Sequence, residues 1–94
     1  METIEKLARE FSAELVQDIG IENVRAAAKI NAENPNAPWC ASHDYCDANE
    51  TMLQAFVKVM GREMAFADDP DNEADTDLVN AAWNEAKRNG FYVA

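Results

Sequence analysis

The stretch Tyr45-Cys46-Asp47-Ala48-Asn49-Glu50-Thr51-Met52-Leu53-Gln54-Ala55-Phe56-Val57-Lys58-Val59-Met60-Gly61-Arg62-Glu63-Met64 decides the fold class. Tyr45, Asn49, Met52, Leu53, Phe56, Val57, Met60 and Met64 recur at steps of three and four, which is the helical period. It is the strongest stripe in the chain, and no strand-like alternation interrupts it. Ser42 is a good N-cap for this helix, and Asp44 then falls in the first turn, where the helix dipole favours an anion. Gly61 either ends the helix or is tolerated inside it.

The helical reading extends in both directions. Upstream, Thr3 can cap a first helix carrying Ile4, Leu7, Phe11, Leu15 and Ile19, with Gly20 as its stop. Ile21, Val24, Ala27, Ala28 and Ile30 predict a second, alanine-rich helix to about Ala32. Pro35 and Pro38 break it, because each removes a backbone donor and restricts the residue before it. Downstream, Asp68 to Asp77 reads as an acidic linker. Thr76 or Asp75 can cap a fourth helix with Leu78, Val79, Ala82, Trp83 and Ala86. Lys87 and Arg88 suit its C-terminal end, Gly90 stops it, and Phe91-Tyr92-Val93-Ala94 follows as an apolar tail. The expected fold is a single all-α domain over residues 1–94. It is a small four-helix bundle, with an acidic loop before the last helix and the third helix at the centre.

The chain has 94 residues, 18 acids against 8 bases, and a formal charge of −10. Seventeen alanines favour thin, closely packed helices, since alanine is the best helix former and buries little area. No apolar run approaches membrane-spanning length, so no membrane partner is expected. The acidic N-terminus is not that of a signal peptide, and two cysteines without a signal imply free thiols in a reducing compartment. The expected location is cytoplasmic. Direct nucleic-acid binding is excluded by the charge, because phosphate neutralisation dominates such binding. The same field steers the protein toward basic surfaces, including those built to hold nucleic acid.

Cys40, His43 and Cys46 stand three residues apart, with Asp47 and Glu50 beyond. On a helix beginning near Ser42, His43, Asp47 and Glu50 share a face. Structural zinc takes four ligands from two separate chain segments, and this chain has no second histidine and no second cysteine pair. A metal site built from Cys40, His43, Cys46 and Asp47 is therefore the alternative reading. The leading one treats the segment as a helix start with no metal and no cofactor. A catalytic thiol is disfavoured by Asp44 and Asp47, whose charge opposes a thiolate. No oxyanion-hole motif and no glycine-rich loop occurs, so the chain is expected not to be an enzyme. The acids at 69, 71, 73, 75 and 77 imitate a calcium loop. Counting from Asp69, however, the sixth and twelfth positions are Ala74 and Asn80, where glycine and glutamate are needed.

Asp68, Asp69, Asp71, Glu73, Asp75 and Asp77 are instead candidate partner-binding residues. Trp39 joins them as an aromatic beside a chain break, as do Phe91 and Tyr92 in the tail.

The block Cys40-Ala-Ser42-His43-Asp44-Tyr45-Cys46-Asp47-Ala48-Asn49-Glu-Thr-Met52-Leu-Gln-Ala55-Phe56 resembles one shared by small proteins of bacteriophages and prophages. Their pattern runs Cys-x-Ser-His-Asp-aromatic-Cys-Asp-Ala-Asn-x-x-Met-x-x-Ala-Phe, and the resemblance covers about a fifth of the chain. It implies a phage-type origin and transfers no activity to particular residues. Small acidic phage proteins often bind a host protein, and some, including certain anti-CRISPR proteins, mimic DNA in charge distribution. The expectation is a non-enzymatic acidic protein that binds a basic or nucleic-acid-binding host protein, or a phage protein. The alternatives are the metal-binding protein above and a structural accessory protein that self-associates through its tail.

Overall fold

A computed structural model of the chain describes residues 2–34 and 48–93. These form four helices: α1 (Thr3–Ile19), α2 (Ile21–Glu33), α3 (Ala48–Met60) and α4 (Asn72–Arg88). A short 3-10 turn, Gly90–Tyr92, follows. Among the described residues there is no strand, so the fold is all-α as the periodicity requires. The segment that carries Ser42 and Asp44, and with them the expected start of the third helix, lies outside the described residues.

α1, rather than α3, is the central element. It packs against α2, α3, α4 and the terminal turn. Its buried positions are Leu7, Ala8, Phe11, Ser12, Glu14 and Leu15. At about 100° per residue these cover an arc of roughly 160°, wide enough to meet several neighbours at once. The large residues Leu7, Phe11 and Leu15 fill the interior, and Ala8 lets a neighbouring helix approach closely. Ser12 remains buried because its hydroxyl donates to the Ala8 carbonyl at 2.8 Å. One hydrophobic cluster draws on all four helices and on Phe91. The Phe11 ring sits at its middle, 5.0 Å from Trp83 and 6.4 Å edge-on from Phe91.

Two polar ties cross the seam between α1 and α3. Thr51 Oγ1 donates to Asp18 Oδ2 at 2.7 Å. Lys58 Nζ pairs with the Glu14 carboxylate, which is almost wholly buried. That hydrogen bond raises the Lys58 ammonium above its ordinary range. A buried carboxylate is tolerated here because a cation satisfies it.

The helix ends differ in detail from expectation. Thr3 is the first residue of α1, and Glu2 occupies the cap position without a side-chain cap bond. α4 begins at Asn72, several residues before Asp75 and Thr76, with Asp71 at its cap position. The acidic stretch is thus half loop and half first turns, where the dipole stabilises Glu73 and Asp75. Gly61 does end the third helix, at φ +72°, and nothing lies within 4 Å of where its Cβ would be. Gly61→Ala should therefore cost about 1 kcal/mol through left-handed backbone strain alone. Urea denaturation followed by circular dichroism would show this, and an unchanged midpoint would mean that the turn relaxes.

The apolar tail folds back. Gly90, Phe91 and Tyr92 all adopt positive φ, at 59°, 54° and 55°. This left-handed turn brings the Phe91 ring into the core at 1% exposure. Tyr92 lies under the Arg9 guanidinium at 4.3 Å, and Arg25 Nε donates to the Val93 carbonyl at 3.3 Å. Left-handed geometry costs a residue with a Cβ about 1–2 kcal/mol, and burial of a phenylalanine ring offsets this. Phe91 is therefore a core residue and not the exposed interface aromatic that its place beside a break suggested.

Candidate docking groove

The third-helix stripe is divided in the folded chain. Met52 and Phe56 are buried, but Leu53 and Val57 remain 46% and 43% exposed. These two lie one helical turn apart on the outer side of α3. Facing them is the connection 61–67, whose Met64, Ala65, Phe66 and Ala67 form the opposite wall of a groove of about 550 Å³. Phe66 is 76% exposed, the most open large apolar side chain among the described residues. Glu50 and Glu63 also line the groove. Exposed Asp68, Asp69 and Asp71 continue directly from its far lip.

The lip is held by α4 through one residue that the sequence suggests for another role. Asp75 is 4% exposed. Arg62 donates to both of its carboxylate oxygens, at 2.9 and 2.8 Å. The Ala65 backbone N–H donates to Asp75 Oδ2 at 2.8 Å. Asn72 Nδ2 completes the arrangement by donating to the Ala65 carbonyl at 2.9 Å. Arg62 also lies over the buried Phe56 ring, 5.3 Å from its centroid. Hydrogen bonding to Arg62 and then to the Ala65 amide holds the Asp75 carboxyl at about 2, against an ordinary 3.8. The same contact raises Arg62. The bidentate geometry is the strong form of this ion pair.

The six candidate acids therefore divide. Asp68, Asp69, Asp71, Glu73 and Asp77 are exposed and available to a partner. Asp75 is not, because its charge is directed inward to Arg62 and Ala65. Within the loop, Asp69 Oδ1 accepts from the Asp71 amide at 2.8 Å, a local turn that shapes the acidic lip. Trp39, Cys40, His43, Cys46 and Asp47 lie outside the described residues. Among the described residues no three histidine, cysteine or acidic side chains group as a metal site would. No described helix is long and apolar enough to cross a membrane.

Sequence reasoning missed Leu53, Val57 and Phe66 as site residues. A signal for Phe66 exists in the run Met64-Ala65-Phe66-Ala67, which stays apolar beyond the Gly61 stop. No such signal separates Leu53 and Val57 from the buried half of their stripe.

No protein-family model, no curated protein and no solved structure matches this chain.

Proposed function

We propose that this chain is a non-enzymatic, acidic phage-type protein that binds a basic, nucleic-acid-binding host protein in the host cytoplasm and covers the surface that holds nucleic acid. The observation that carries the reading is the exposed apolar groove at Leu53, Val57 and Phe66, bordered by the acids of the α3–α4 connection. An exposed apolar patch with a polar rim is the ordinary form of a protein-docking surface. The net charge of −10 adds the sign of the partner. Complementary charge accelerates encounter and discriminates against acidic competitors, and salt screens it over about 8 Å at physiological ionic strength.

The test is affinity capture from host lysate with the original chain and with the variant carrying Asp68→Asn, Asp69→Asn, Asp71→Asn and Glu73→Gln. Asp75 is left intact because of its role at Arg62. The expected result is capture of a nucleic-acid-binding protein that weakens in the variant, weakens at high salt, and is blocked when the partner is first loaded with duplex DNA or RNA. Capture indifferent to neutralisation, salt and nucleic acid alike would overturn the reading.

A further inference from the structure

The groove specifies its occupant more closely than charge alone does. A docked peptide must satisfy its own backbone, and an extended peptide does so by borrowing donors and acceptors from an open edge. On the walls of this groove many of these groups are already engaged. At Leu53 and Val57 the backbone belongs to the ladder of α3, and on the facing wall Ala65 is engaged by Asp75 and Asn72, the Glu63 carbonyl by Arg62 and the Phe66 carbonyl by the Asp69 amide. What the groove presents is side-chain surface: Leu53 and Val57 on one wall, Met64 and Phe66 on the other. An occupant that brings a self-satisfied backbone and a row of apolar side chains is an α-helix. The wall from Glu50 to Val57 spans about 10 Å at 1.5 Å per residue, which matches two turns of helix with anchors at i, i+3 or i+4, and i+7.

Charge decides between a partner and a second copy of this chain. Glu63, Asp68, Asp69 and Asp71 are exposed at or beside the groove. A second copy would bring another −10 of charge toward them, and a basic helix would bring cations.

We propose, building on the acidic-binder reading above, that this groove takes a basic amphipathic helix of the partner protein. The helix seats its apolar face on Leu53, Val57 and Phe66 and lays lysine or arginine side chains over Glu63, Asp68 and Asp69. Asp75 acts here as a positioning residue, since it holds the wall that carries Phe66.

The proposal is tested with a fluorescein-labelled designed helix that has leucine at i, i+3, i+4 and i+7 and lysine elsewhere. A leucine-free lysine peptide and a peptide with glutamate in place of lysine serve as controls. Anisotropy is read against the original chain and against the triple variant Leu53→Ser, Val57→Ser, Phe66→Ser. All three positions are exposed, and circular dichroism checks that the fold persists. The leucine–lysine helix is expected to bind the original chain and to lose about tenfold or more in affinity for the triple variant. The lysine-only peptide should bind weakly and equally to both, and the glutamate peptide to neither. Equal binding of the leucine–lysine helix to both proteins overturns the groove proposal and leaves the acidic-surface reading standing. If the lysine-bearing peptides fail to bind at low salt, both fail. Sedimentation equilibrium showing a dimer of the original chain that Phe66→Asp dissolves would assign the groove to a second copy, and would overturn the proposal in that way.

Discussion

Phe11→Ala is expected to lower stability by about 3–5 kcal/mol, the cost typical of truncating a buried phenylalanine. The ring is completely buried and touches both Trp83 and Phe91, so its loss opens a cavity where α1, α4 and the terminal turn meet. A domain of this size has on the order of 5–14 kcal/mol in total, so the variant sits near the edge of folding. Urea denaturation followed at the helical circular-dichroism band measures the effect. Where the alanine variant is too unstable to purify, Phe11→Leu keeps most of the volume and should cost about 1–1.5 kcal/mol. Leu53→Ala, on the exposed side of α3, should cost far less, because that side chain stays 46% exposed and its loss opens no enclosed cavity. A Phe11→Ala midpoint within about 1 kcal/mol of the original would show that α1 is not the helix around which the others assemble.

The second large effect belongs to Asp75. Its carboxyl is held at about 2 in the folded chain, below the ordinary 3.8. A group whose folded value is depressed contributes stability that is present above the unfolded value and disappears as pH falls through the folded one. This contribution is therefore intact at neutral pH and lost between about pH 4 and pH 2. Asp75→Asn removes the ion pair and leaves the Arg62 guanidinium, seated over Phe56, without its carboxylate. The variant should melt several degrees below the original at pH 7, and the gap should close as pH approaches 2. The Ala65 amide should exchange faster in the variant, since its acceptor is weakened. Asp77→Asn, on the exposed side of the same helix, should change neither measurement. A constant gap between the original and Asp75→Asn across this pH range would show that the residue stabilises by shape rather than by charge.

The division of the acidic run illustrates where sequence reading stops. Six acids in ten residues form one feature in sequence, and each residue type is equally suited to a solvated face. Whether one of them turns inward depends on where a cation sits. For Asp75 that cation is Arg62, thirteen residues earlier and across a turn. Local propensity ranks Asp75 and Thr76 as helix caps, but the contacts to Arg62 and Ala65 place Asp75 within the first turn of a helix that starts sooner. The third-helix stripe poses the same problem in apolar form. Met52, Leu53, Phe56 and Val57 are equivalent by period, and only the position of α1 decides that the first and third of these are covered.

Read alone, the sequence was enough to establish an all-α fold, the extents of α1 and α2 nearly to the residue and the acidic character of the α3–α4 connection. All of these follow from short-range physics: the 3.6-residue period, glycine at positive φ, proline as a breaker, and summed charge. The tertiary structure alone decided that α1 is central, because its buried arc is completed by Ala8, Ser12 and Glu14, residues that carry no hydrophobic signal. It also decided that Phe91 closes the core, through a left-handed turn that the local sequence disfavours. It exposed Leu53, Val57 and Phe66 together as one groove. Each of these depends on contacts between residues far apart in the chain, and a periodic pattern reports which face of a helix is apolar but not what covers it.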